Sequence, residues 1–170
     1  MNMDNQDIQD KNQLSWVSCA SMLIKWLPRK DMNMDSQDGE EKRMRYEELT
    51  RAILGCSFEV INELGSGFLE SVYEKALAIA LKEKGFSVKI QYPIEVMFRG
   101  QCVGEFFADL FVEEKVIVEL KAVKALSVEH PAQVINYLKA TGVEVGLLIN
   151  FGKQKLEYRR LTRSKGFEPE

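Results

Sequence analysis

Between Gly104 and Val123 the chain reads GEFFADLFVEEKVIVELKAV, two apolar runs joined by a short charged turn. Asp109 lies inside the first run, and Glu119, with Lys121 two residues on, inside the second. Charges in the strands of a core are costly unless something pairs with them. If Val112 and Val116 close a three-residue turn, antiparallel pairing sets Asp109 directly opposite Glu119, roughly 4.5–5.5 Å away on one face. Lys121 projects from that same face. Phe106, Ala108, Leu110, Val118, Leu120 and Ala122 then fall on the other. A slip of one residue would part the two acids, so residue identity and register agree on one converging cluster.

Two carboxylates beside a lysine suit a hard divalent cation. Mg²⁺ takes one or two carboxylates and keeps water and phosphate oxygens for its remaining positions. Such a cation, Mg²⁺ or Mn²⁺, polarises a phosphate and acidifies a bound water. The lysine can orient that water or stabilise charge developing on the phosphate. His130 is the only histidine, which disfavours histidine-rich metal sites and histidine-based acid–base pairs. The pattern points to metal-assisted phosphodiester chemistry.

Composition sets the outer bounds. A chain of 170 residues, 45% hydrophobic, holds one well-formed core. With 23 basic and 26 acidic residues the net charge is -3, so contact with a polyanion requires a local patch. Lys153, Lys155, Arg159, Arg160, Arg163 and Lys165 supply the best one; the plainer reading of that set is a solvated face. Cys19, Cys56 and Cys102 are odd in number and form no C-x-x-C pair, which fits a reducing compartment. Leu14–Leu27 is broken by serines and Lys25 and preceded by acids, so a membrane span or signal peptide is not expected. A cytoplasmic protein without membrane contact is the default.

Residues 1–45 differ from the rest. MNMDNQD at Met1 recurs as MNMDSQD at Met32, and Trp16, Ala20, Leu23 and Leu27 predict an amphipathic helix over 14–27. The charged stretch DSQDGEEKRMR reads as a flexible linker, making 1–45 an extension and 46–165 the domain. From Tyr46, the positions Leu49, Ala52, Ile53, Cys56, Val60 and Leu64 mark one helix face, stopped by Gly65. Ser66 and Gly67 open a second helix, with Leu69, Val72, Tyr73, Ala76, Leu77 and Ala80 inward. Alternation predicts strands over 88–98, 104–112 and 116–123. A helix from His130 to Ala140 leads to an apolar strand over 145–151, and 154–163 adds an edge strand. The fold class is α/β: a mixed sheet of three antiparallel strands plus a crossover strand, flanked by helices.

Asp109 followed by Glu119-Leu120-Lys121 resembles the D…E-x-K signature of the PD-(D/E)XK nuclease superfamily. GFLESVY at Gly67–Tyr73 is similar to the motif of the GxxExxY protein family, a nuclease-like branch. The likeness covers most of 46–160, including VELKA at Val118 and NYLKATG at Asn136; D…E-x-K alone would be weak, and the combination is specific. It implies a nuclease-like fold and a catalytic set of Asp109, Glu119, Lys121, Glu70 and Gln133. Asp109, Glu119 and Glu70 would be the metal ligands. Gln133 and Tyr137, on one helical face, resemble the Q-x-x-x-Y element of exonuclease-like members. Tyr137, Lys153, Arg159 and Arg160 are the candidate contacts to nucleic acid, DNA ahead of RNA. Where relatives often carry histidine before Glu63-Leu64-Gly65, Ile61 stands.

Plainer roles compete. With Gly67 at the N-cap, Glu70 would sit at N3 and only cap its helix. Lys121 alone would be a solvated strand lysine, Gln133 and Tyr137 a helix polar face, Tyr73 core, and His130 a helix-start residue. The alternative function is a catalytically silent module of the same fold that binds nucleic acid or protein.

Overall fold

The computed structural model describes residues 36–163, with side chains from residue 46. The helix expected at 14–27 and Lys165 lie outside the described residues. Helix α1 (Ser36–Leu64) starts before Tyr46. The stretch read as a linker is therefore helical from Ser36, as its Glu, Lys, Arg and Met content favours. Leu49, Ile53, Cys56 and Val60 form the inner face as expected, joined by Ile61, whereas Leu64 is exposed.

Helix α2 (Glu70–Glu83) begins later than Ser66-Gly67. Tyr73 and Leu77 are buried as expected, joined by Ala78 and Leu81, whereas Leu69 and Val72, also expected inward, are exposed. Five strands follow in one sheet whose spatial order is the chain order. Strand β1 (Val88–Phe98) pairs antiparallel with β2 (Gln101–Val112). Because β1 is an edge strand, Pro93 passes through it without breaking the ladder. Strand β3 (Val116–Lys121) pairs antiparallel with β2 and parallel with β4 (Val145–Asn150), reached through helix α3 (Glu129–Thr141). Strand β5 (Glu157–Thr162) closes the far edge antiparallel to β4. The expected mixed sheet with one crossover is present.

Every residue of β4 is buried, as is β3 up to Leu120, because helices cover both faces. One core layer joins Leu110, Val112, Val118, Leu120, Leu147 and Ile149 to α1 and α2. The other joins Ala108, Phe111, Ile117 and Leu148 to Val134, Tyr137 and Leu138 of α3. Helix α3 lies close on β4: a Cβ on Gly146 would stand 2.5 Å from Val134 Cγ1.

The β1–β2 ladder keeps one register from Val88–Val112 to Val96–Gly104, with a single gap at Gln91 and Asp109. Gln91 has a left-handed φ of 50°. Across the gap both strands exchange faces. Val88, Leu110 and Val112 pack toward α1 and α2, whereas Tyr92, Ile94 and Ala108 pack toward α3. Ala108 thus does not share a face with Leu110, and Phe106 is exposed beside Tyr137, their ring centroids 6.1 Å apart. No helix among the described residues is long and apolar enough to cross a membrane.

Candidate active site

The β2–β3 turn is built by Glu113 and Glu114, both at φ 53°, with Lys115 N–H donating to Val112 O at 3.0 Å. Two consecutive left-handed residues match the right-handed twist of the strands they join. The ladder then runs Val112–Val116, Phe111–Ile117 and Leu110–Val118. That is the register expected from the sequence, and its next pair would be Asp109–Glu119. There the ladder ends, and the Asp109 carboxylate takes the place of a main-chain acceptor, receiving Leu120 N–H on Oδ2 at 2.7 Å. Burial raises the Asp109 pKa; the Leu120 bond and Lys121 work against that rise, and Glu70 adds to it.

Glu119 is 3% exposed. Its Oε1 accepts from Lys121 Nζ at 2.5 Å, and its Oε2 is buried with no hydrogen-bond partner. Desolvation first, then the neighbouring Asp109 charge, push its pKa up to about 7 despite the lysine. Burial works against the Lys121 ammonium, but the bond and charge of Glu119, helped by Glu70 and Asp109, leave its pKa raised. Burial drives the Glu119 carboxylate toward neutrality, while three carboxyl groups, Glu119, Glu70 and Asp109, act on the one ammonium of Lys121.

Glu70 does not cap α2 from N3. It is the first helical residue, after Leu69 at the N-cap, and its Oε1 receives Ala122 N–H at 3.1 Å, just past the end of β3. The loop before it is set by Gly67 at φ 115°, a conformation closed to most residues. The loop is tied down by Tyr73, whose hydroxyl donates to Gly65 O at 2.9 Å and accepts from Phe68 N–H at 3.2 Å. Tyr73 is core, as expected, and stacks on Phe151 at 4.6 Å.

On the other side, Gln133 Nε2 donates to the Tyr137 hydroxyl at 2.6 Å, and that hydroxyl donates to Phe107 O at 3.3 Å. Tyr137 is 4% exposed. Burial raises its pKa, opposed by the Gln133 bond, and Glu119, Lys121 and Asp109 all act on it electrostatically. Tyr137, a candidate nucleic-acid contact, is buried and bridges α3 and β2 through its hydroxyl. His130 Nδ1 accepts from Ser127 N–H at the start of α3.

The basic candidates separate. Arg159 pairs with Leu148, which itself pairs with Glu119, so Arg159 lies in the acid's row on the α3 face. Arg160 pairs with Leu147 and projects to the α1–α2 face. Lys153, in the β4–β5 loop, stands 3.9 Å from Glu157.

Sequence reasoning missed three polar residues. Gln91 Nε2 donates to Glu74 Oε2 and, at 3.3 Å, to Asp109 Oδ1. Glu74 is 6% exposed, its pKa raised by burial against the Gln91 bond. Asn150, fully buried, accepts Val123 and Gly152 N–H and donates to Val123 O, pinning the chain beyond β3 to the end of β4. The one usable signal was the spacing of Glu74, one helical turn after Glu70 and so on the same face.

The donor set fits a divalent cation. Asp109 and Glu119 offer hard oxygens, Glu119 Oε2 lacks a partner, and the local charge is negative. Among the described residues no three His, Cys, Asp or Glu side chains are gathered so as to hold a metal. Of the expected trio, Asp109 and Glu119 act on each other electrostatically, and Glu70 receives Ala122 N–H on Oε1.

No curated protein matches the chain. A solved structure described as the crystal structure of SSO0001 superposes with a TM-score of 0.46 at 17% identity, covering 74% of this chain and 63% of that one. The chain thus spans under two thirds of that protein's length. The family model of the PD-(D/E)XK nuclease superfamily matches residues 47–161, the whole sheet short of its last residue and the helices around it. With the D…E-x-K residues meeting at the broken β2–β3 ladder, the chain belongs to the PD-(D/E)XK nuclease superfamily.

Proposed function

We propose that the protein is a Mg²⁺- or Mn²⁺-dependent nuclease of the GxxExxY branch, cleaving phosphodiester bonds of nucleic acid, DNA ahead of RNA. The observation that carries this reading is the buried, unpartnered Oε2 of Glu119 beside Asp109, with Lys121 2.5 Å from the other oxygen. A structural ion pair gains nothing from leaving one carboxylate oxygen desolvated and unbonded.

A bound cation, held by Asp109 and Glu119, would supply polarisation of the scissile phosphate and acidification of the attacking water. Asp109 is anchored on one oxygen by Leu120 N–H. Lys121, its pKa raised, remains an ammonium at neutral pH. It therefore acts as a donor, stabilising negative charge on the phosphate as the water oxygen bonds to phosphorus and the phosphorus–oxygen ester bond breaks. The water's proton leaves to solvent and the departing alkoxide takes one up. Glu70, Gln133 and Tyr137 support the site by holding β3, α3 and β2 in place. Arg159 is the contact for the phosphate backbone on the acid's side, Lys153 a contact from the β4–β5 loop, and Arg160 serves a strand that wraps the sheet edge.

The test is cleavage of labelled single- and double-stranded DNA and RNA with Mg²⁺, Mn²⁺ or EDTA. Metal-dependent product should fall at least ~100-fold in Asp109→Ala and Lys121→Ala. Activity surviving both substitutions would sink the assignment. Salt-sensitive binding without any metal-dependent product would favour the silent-module reading.

A further inference from the structure

The gap in the β1–β2 ladder at Gln91 and Asp109 has the same register on either side. The left-handed Gln91 therefore inserts no extra residue and corrects no slip in pairing. Such a backbone is uncommon for a residue with a side chain and persists where surrounding contacts enforce it. It stands where both strands exchange faces, and from there its Nε2 reaches both Glu74 Oε2 and Asp109 Oδ1.

We propose that Gln91, braced by Glu74, is a positioning residue that sets the Asp109 carboxylate for a divalent cation; the role rests on the nuclease reading above. Asp109 is gripped from both flanking strands, Oδ2 by Leu120 N–H of β3 and Oδ1 by Gln91 of β1. Two bonds from opposite sides fix the plane of the carboxylate, which a single bond leaves free to rotate. Gln91 is fixed in turn by the buried Glu74 of α2. Glu70, one turn earlier on that helix, holds Ala122 N–H beyond the end of β3. One helix face thus braces the strands on either side of Asp109.

A glycine at position 91 adopts the left-handed backbone freely and removes the side chain, with its bonds to Glu74 and Asp109. The full chain, Gln91→Gly and Gln91→Asn are compared for Mn²⁺ affinity by calorimetry and for melting temperature in EDTA, with Asp109→Ala as the non-binding control. Gln91→Gly should melt at or above the wild-type temperature yet bind Mn²⁺ roughly 10–100-fold more weakly, the usual loss when a group orienting a metal ligand is removed. Gln91→Asn tolerates the same backbone and keeps an amide one methylene short of both acids, so it should weaken binding as well. It also guards against a hairpin loosened by glycine. Wild-type affinity in both Gln91 variants, with binding abolished in Asp109→Ala, overturns this inference and leaves the nuclease reading standing. Melting temperature and affinity falling in step in both variants overturns it too, since the role would then be the fold. A wild-type chain that neither binds Mn²⁺ nor cleaves overturns both.

Discussion

The sharpest consequence of the site concerns stability in the absence of metal. Glu119 titrates at about 7 in the fold against 4.5 for the free group. Between those values the folded protein holds a proton that the unfolded chain has already lost. Stability from this group is therefore fully present below about pH 4.5 and is lost as pH rises through about 7. At about 1.4 kcal/mol per pH unit the gap amounts to about 3 kcal/mol. That is a large share of the stability of a domain this size. The sign is opposite to that of an ordinary surface carboxylate in a salt bridge, which strengthens a fold as pH rises.

Asp109 and Glu74 have pKa values raised in the same direction, so the slope of the wild type alone does not isolate Glu119. Glu119→Gln does. It removes the titration and adds only a pH-independent offset from the Lys121 partner it loses. Urea unfolding in EDTA at about pH 5 and about pH 8 should show the stability of wild type minus that of Glu119→Gln falling by about 2.5 kcal/mol, since about pH 5 lies inside the titration window. Saturating Mg²⁺ at about pH 8 should return about 2.7 kcal/mol to the wild type at a hundred times the dissociation constant, and nothing to the variant. A difference that stays flat with pH would refute the desolvation argument, and with it the observation on which the metal assignment leans.

Other outcomes follow from single contacts. Asp109→Asn retains an oxygen for Leu120 N–H, so its unfolding free energy at about pH 8 should equal or exceed wild type while metal-dependent cleavage, followed on gels, falls at least ~100-fold. Tyr73→Phe keeps the stack on Phe151 but loses both bonds to the Gly65–Phe68 loop; urea unfolding should show a loss of about 1–2 kcal/mol. Gly146→Ala drives a methyl into Val134 Cγ1 and should cost about 1–3 kcal/mol by the same measurement. Arg159→Ala should weaken oligonucleotide binding in EDTA and lower the salt slope by about 1, with Arg160→Ala, on the opposite face, showing the smaller effect by fluorescence anisotropy.

The chemistry was legible where the sequence placed charge in a context that repels it. Asp109 among FFADLF and Glu119 among VIVELK stand out because apolar strands rarely carry acids, and a three-residue turn left one register that joined them. The parts that were not legible lack such contrast. Gln91 reads as an ordinary polar strand position, since a left-handed φ at glutamine leaves no local mark. With it went the exchange of faces along β1 and β2, which simple alternation cannot foresee. Glu74 drew no notice because its partner, Gln91, is seventeen positions away. The start of α2 was placed too early because Ser66 and Gly67 looked like a cap. What delays the helix to Glu70 is the Tyr73 hydroxyl, a contact made only after the chain has folded back. The stretch 36–45 erred the other way: its polarity was read as flexibility, although its residues are good helix formers.

Taken together, these contacts explain why glycine, glutamate and tyrosine recur at three-residue spacing in Gly67, Glu70 and Tyr73. Gly67 supplies a backbone conformation that lets α2 start with Glu70 at its tip. Glu70 reaches Ala122 N–H, and Tyr73, one turn further in, stacks on Phe151. Phe151 N–H in turn donates to Lys121 O at 2.7 Å. The end of β3, which carries Glu119 and Lys121, is thus gripped from two directions by one helical turn. A spacing that periodicity alone assigns to capping and core is, in space, the clamp that keeps an electrostatically unfavourable acid pair where it stands.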